Sequence, residues 1–385
     1  MAPDQESLEE LLGARRSSAR AELAEAMCSL AAGDQAPEGL LAAAPASAFF
    51  EPRLYTQLVH PDDGTPGMTL EQLLFASVPE GRCAARTDAA GVACLPGLGR
   101  CPTPYPDAVI TTRFDGPAGT VTVRHGDAAE VEVPWLPCTV VPGTIIEIVG
   151  HADPVLGAFL ARHLDGLGLF SLVPAHDSYD AVLAAALQLI GEVRPAFHSW
   201  LLESLRAILL FRHPSAESFA ALGMHGMIFL NVPAGAGLAY FVAELTHQGG
   251  HVVFSEATLD RADFLQADPD REMSDITGEA DSRSVYDAFH GLYTEHMESQ
   301  VMLAVLRAGG VDVGDVADFE QHLAEVMRRH RRDVELFRRI SPAVFTGPGQ
   351  AVFTVIERAY REAAAELAGG RPAARGIAAS LGRSQ

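Results

Sequence analysis

Apolar residues recur through most of this chain at the three-to-four spacing of a helix face. Leu8, Leu11, Leu12, Leu23 and Met27 set that period at the start, so residues 1 to about 45 read as helical. Leu156, Phe159 and Leu160 begin another helix, Tyr179 to Val193 forms a strongly apolar one, and Phe197 to Phe211 a third before His213-Pro214. The stripe Leu238, Phe241, Val242, Leu245 leads into a further helix, followed by helices over Val285–Gly309, Phe319–Arg339 and Val352–Leu367. Between Ala108 and Val149 the period changes. Val109–Thr112, Thr120–Val123, Val131–Val133 and Thr144–Ile148 are rich in β-branched residues and predict a small antiparallel sheet. Met227–Asn231 predicts a short strand.

Turn residues punctuate this pattern. Pro61–Gly67 and Asp115-Gly116-Pro117 read as loops, the proline-bearing run Gly91–Pro106 as a connecting loop or cover, and the acidic stretch Leu259–Ser284 as a long excursion. The fold class expected is α+β, mainly helical: a helical metal-binding domain preceded by a small antiparallel β-region. The expected division is a mixed region over 1–107, a β-rich region over 108–150, a helical domain over 151–368 and a disordered tail over 369–385.

Composition narrows the function classes. A 48 % hydrophobic and 20 % charged chain of 385 residues can bury a sizeable core. Its net charge of −22 argues against a nucleic-acid binder, since phosphate contacts need clustered positive charge. All 28 cationic Lys or Arg side chains are Arg, which excludes Schiff-base, P-loop and kinase-type lysines. An anionic substrate group would be held by Arg, whose planar fork suits a carboxylate. Cys28, Cys83, Cys94, Cys101 and Cys138 show no C-x-x-C spacing and read as reduced thiols of a cytoplasmic protein. No secretory signal and no membrane-spanning apolar run is apparent.

The chemistry-bearing stretch is Glu244-Leu245-Thr246-His247-Gln248-Gly249-Gly250-His251. Residues four apart on a helix share a face, so His247 and His251 can turn their imidazoles toward one metal ion. The pattern is one residue from H-E-x-x-H, in which the glutamate is the general base. An amide at Gln248 cannot take a proton from a metal-bound water, so the spacing for a metal is kept while the base for hydrolysis is missing. The alternative is a chance pairing, which fourteen histidines make easy. Gly249 and Gly250 cost about 1 kcal/mol each inside a helix relative to Ala, which points to close approach by a neighbouring element or a substrate. A third ligand is expected; His290 is the first candidate, with Glu295, His296 and His225 as alternatives.

The order of these elements resembles the H-E-x-x-H-type peptide β-hydroxylases that modify ribosomally made peptides. The likeness covers roughly residues 178 to 310. It rests on the apolar helices of 181–210, the strand Gly226-Met227-Ile228-Phe229-Leu230, the helix ending at His247 and His251, and Arg283 through His290-Gly291-Leu292-Tyr293. It implies an Fe(II), 2-oxoglutarate-dependent hydroxylase acting on an unactivated carbon, with His247, His251 and His290 on the metal. The remote carboxylate of 2-oxoglutarate would then lie on Arg283, whose other role would be an ion pair with the acidic excursion. Gln248 departs from the family pattern. It weakens a zinc-hydrolase reading more than an oxygenase reading, because oxygenation needs no base to activate water. A third alternative is a non-catalytic relative that binds a peptide.

Overall fold

The computed structural model describes residues 7–33, 38–59, 67–75, 81–114, 119–164, 170–173 and 179–369. The loop expected at 61–67, apart from Gly67, the turn Asp115-Gly116-Pro117 and the tail beyond Gly369 lie outside them. The chain is α+β and mainly helical, with small sheets. It divides into two compact units, one of residues 1–20, 182–203 and 235–385, the other of 21–181 and 204–234. The expected boundaries after 107 and 150 both fall within the second unit. No helix among the described residues is long and apolar enough to cross a membrane.

The second unit carries the strands. Helix α1 (Leu8–Gly33) passes into it, followed by α2 (Glu38–Ala43), α3 (Pro52–Val59) and α4 (Leu70–Leu74). Strands β1 (Arg82–Arg86), β4 (Val109–Arg113), β5 (Thr120–Arg124) and β6 (Val131–Pro134) form an antiparallel sheet in the order β1-β4-β5-β6. Its inward positions, among them Cys83, Ala85, Ile110, Val121, Val123 and Val133, alternate with exposed ones and form one core. The run 91–106, expected as a loop, contains the hairpin β2 (Val92–Leu95) and β3 (Gly99–Pro102), which pairs on with β7 (Leu136–Pro137). Prolines hid it: Pro102 lies at the end of a strand in a short sheet, where a missing N–H is tolerated.

A third sheet is mixed. It comprises β8 (Thr139–Val140), β9 (Glu147–Val149), β10 (Ser171–Leu172), β11 (Ala207–Arg212), β12 (Phe219–Ala220) and β13 (Met227–Asn231). Two expectations are corrected here. The stretch 144–148 contributes β9, which runs parallel to β11 instead of joining the antiparallel sheet. The helix expected over 197–211 ends at Ser204, and Ala207–Phe211 forms the strand between β9 and β13. Every residue of that run is buried, and a strand buried on both faces reads as a continuous apolar run without period. Helix α5 (Pro154–His163) covers the sheet with Leu156, Phe159 and Leu160. Arg53 of α3 is wholly buried, donating to Asp153 at 2.6 Å and to Glu147 of β9 at 3.3 Å.

The first unit is helical: the end of α6 (Asp180–Val193), α7 (Pro195–Ser204), α8 (Leu238–Ala257), the single turn α9 (Ser274–Thr277), α10 (Val285–Ala308), α11 (Val313–Val344) and α12 (Gly347–Ala368). Phe241, Leu245, Phe254, Phe289, Leu292, Val326, Phe337 and Phe353 form its apolar interior. Ser284 caps α10 by accepting from the Asp287 amide at 3.0 Å, and Gly309 in the left-handed region ends it. The buried Arg16 of α1 donates to Glu256 in the last turn of α8 and to Glu203 of α7, both at 2.7 Å, while Arg20 pairs with Glu256 as well. These bonds fix the α8 terminus that follows the histidine pair.

Candidate metal centre

Helix α8 runs unbroken through Gly249 and Gly250. Gly250 is explained by the neighbouring helix. A Cβ on Gly250 would stand 3.2 Å from Cγ2 of the fully buried Thr294 on α10, so the missing side chain lets the two helices approach. That approach brings His290 of α10 against α8. Nδ1 of His251 and Nδ1 of His290 are 3.3 Å apart. That is the distance of a hydrogen bond between the two rings, and two nitrogens each about 2.1 Å from one ion would be a similar distance apart, roughly 3.0–3.4 Å. The His247 and His251 rings have centroids 5.1 Å apart.

His247 points elsewhere with its other nitrogen. Its Nδ1 is 3.0 Å from a carboxylate oxygen of buried Glu298, which also accepts from Arg329 at 3.0 Å. A carboxylate on Nδ1 fixes the ring and leaves Nε2 as the nitrogen free for a ligand. Among the described residues no three or more His, Cys, Asp or Glu side chains stand close enough together, as placed, to hold a metal ion. His251 and His290 stand as a facing pair, and the His247 ring lies beside His251.

The electrostatics favour neutral ligands. Burial, then the neighbouring His247 and His290, pushes the His251 imidazole well below its ordinary range. Burial, then Arg261, lowers His290 to about 3. A neutral imidazole offers a lone pair, as a metal ligand must. Nε2 of His290 is buried without a hydrogen-bond partner, which leaves a polar atom unsatisfied in the site. The surroundings are aromatic: the Tyr286 ring lies 4.4 Å and the Phe254 ring 5.0 Å from His290, and Phe254 stacks on Tyr293 at 4.3 Å.

The other sequence candidates fall as follows. Gln248 is buried and donates through its amide to Glu244 at 3.2 Å. Arg283 precedes α10 and is clasped by two carboxylates, Asp281 at 2.8 Å and the fully buried Asp333 at 2.6 Å. Burial works against its charge, but these two acids raise its pKa above the usual guanidinium range. This is the ion pair given above as its other role, and none of its contacts is with the three histidines. Glu295 faces Arg329 of α11 at 3.7 Å, and His296 lies 5.9 Å from the ring of His330, so neither joins His251. His225 belongs to the other unit, with its ring 5.9 Å from Tyr55.

Sequence reasoning missed two residues. Arg261 lies 4.0 Å over the Tyr286 ring and is the cation whose charge reaches His290. Glu298, eight positions after His290 and so on the same side of α10, gave a usable signal in that spacing. Arg261 gave none, since it sits in the excursion after α8 and only the folded chain brings it back. Compared with known proteins, the chain matches no family model and no curated protein.

Proposed function

We propose that the chain is an Fe(II), 2-oxoglutarate-dependent hydroxylase of a peptide or amino-acid-like substrate, built on His247, His251 and His290. The observation that carries this reading is the pair of neutral imidazoles, His251 and His290, facing each other at 3.3 Å across α8 and α10. Iron with 2-oxoglutarate and O₂ would supply an oxidant for an unactivated, β-type C–H bond. The chain's own residues would do the rest. Glu298 orients His247, and Phe254, Tyr286 and Tyr293 keep the far side of His290 dry. The cation for the co-substrate's remote carboxylate is better sought in Arg261, which pairs with the exposed Asp270 alone at 3.0 Å among the described residues, than in Arg283, whose fork is filled by Asp281 and the buried Asp333. The free state of all five cysteines supports a reducing, cytoplasmic setting.

Gln248 weighs against a zinc hydrolase, since its amide cannot act as a base and donates to Glu244. A non-catalytic, peptide-binding relative is favoured by one observation, that among the described residues no three candidate metal-binding side chains gather in place.

Metal content of the purified protein, then anaerobic titration of the Fe(II) form with 2-oxoglutarate, tests the proposal. A visible charge-transfer band that His251→Ala abolishes is the expected result. Tightly held zinc without a band would turn the reading to a hydrolase-like protein, and no metal under any loading would leave the histidine spacing a coincidence.

A further inference from the structure

The β-rich unit contains a cavity of about 370 Å³ bounded by β3, β7, β8, β9 and the first residue of α6. That volume lies within the range of small-molecule sites. Leu136, Val149, Val173 and Leu210 give it apolar walls. The charge-bearing lining residues are Arg100, Glu147, His151 and Asp180. Two of them are already matched: Glu147 accepts from Arg53, and His151 lies 2.8 Å from Asp88. Arg100 gives one N–H to the Gly150 carbonyl at 3.0 Å and has no carboxylate partner among the described residues. Asp180 has no cationic partner among them. Asp180 also sits in the first turn of α6, where the helix dipole favours an acid. That accounts for an acid at this position but not for its sharing a cavity with an arginine that lacks a counter-ion.

Both charges line one cavity, so an anion on Arg100 alone would leave Asp180 unmatched, and a cation on Asp180 alone would leave Arg100 unmatched. A molecule carrying both charges satisfies both, and apolar walls would take its third substituent. We propose that this cavity binds a free α-amino acid with an apolar side chain, its carboxylate on Arg100 and its ammonium on Asp180. The site is independent of the histidine cluster.

Calorimetric titration of the full chain with L-phenylalanine, N-acetyl-L-phenylalanine and L-phenylalaninamide tests this. Saturable binding of the free amino acid is expected, with each blocked form weaker by about tenfold or more, the effect of losing one charge-assisted contact. Arg100→Gln is expected to erase the preference over the amide, and Asp180→Asn the preference over the N-acetyl form. His251→Ala is expected to bind L-phenylalanine as the unaltered chain does. The proposal is overturned if neither L-phenylalanine nor L-leucine binds, if a blocked form binds as tightly as the free one, if both cavity variants keep the unaltered preferences, or if His251→Ala abolishes binding.

Discussion

The carboxylate of Glu298 stands 3.0 Å from Nδ1 of His247, joining α10 to the helix that carries the histidine pair. Glu298 is buried and is braced in turn by Arg329 of α11. Such a partner fixes which ring nitrogen carries the proton and where the other one points. Glu298→Ala is therefore expected to weaken metal binding roughly 10–100-fold. Glu298→Gln, which keeps an acceptor oxygen, should lose less. Competition against a chromophoric chelator reads both, and equal affinity in the Ala variant would show that the carboxylate does not serve the metal.

Gly250 and Thr294 make a packing prediction that needs no metal. Gly250→Ala gains about 1 kcal/mol of helix propensity but presses a methyl group against Cγ2 of Thr294. Thr294 is fully buried, so it has little room to give, and overpacking of this kind costs about 1–3 kcal/mol. A net loss of roughly 1 kcal/mol is expected from urea unfolding. Thr294→Ser removes the opposing methyl group, so adding it to Gly250→Ala should recover much of the loss. A double variant no more stable than the single one would place the strain elsewhere.

Arg283 separates a structural role from a co-substrate role. Its guanidinium bonds to Asp333 at 2.6 Å, and Asp333 is wholly buried with the exposed Arg332 as its one other cation among the described residues. Arg283→Gln should destabilise the helical unit by about 2 kcal/mol, less than the 3–5 kcal/mol of a fully buried pair because Arg283 is part exposed. Its affinity for 2-oxoglutarate should be unchanged, whereas Arg261→Gln should weaken it. Weaker 2-oxoglutarate binding in the Arg283 variant alone would restore that residue as the anchor.

Much of the helical unit was legible because α11 and α12 carry a 3.6-residue apolar period and α10, apolar on most sides, has ordinary stops. Ser284 and Gly309 bound α10 within a residue of where the pattern places it. The β-rich unit was less legible. Ala207–Phe211 has no period because both faces are buried, and Val92–Pro102 looked like a loop because its prolines and glycines dominate a short hairpin. At the candidate site, spacing pointed to His247 and His251, while His290 was only the first of four candidates beside Glu295, His296 and His225. The excursion after α8 could not be read in the same way. Arg261 and Arg283 both lie there, and which one approaches His290 depends on contacts with Tyr286 and Asp333 that no local pattern encodes.

The second histidine cluster gives a prediction about pH. His330 of α11 is buried, with Nδ1 3.3 Å from Ser299 Oγ and Nε2 without a partner. Burial lowers it to about 3, against about 6.5 in an unfolded chain. Between those values the unfolded state binds a proton that the folded state does not. This contribution is thus fully present above about pH 6.5 and is lost as the pH falls toward 3. Going from pH 7 to pH 5 the loss from this one group is about 2 kcal/mol. Glu295 acts in the opposite sense, because burial and then Asp333 raise its carboxyl well above the usual range, so its share is lost as the pH rises. Comparing the unaltered chain with His330→Asn cancels that share along with those of His251, His290 and His296, the last held low chiefly by its own burial. Urea unfolding at the two pH values should show a smaller acid loss in the variant, by about 2 kcal/mol. Equal losses in the two proteins would mean that His330 takes up its proton without unfolding, through water reaching the α10–α11 interior.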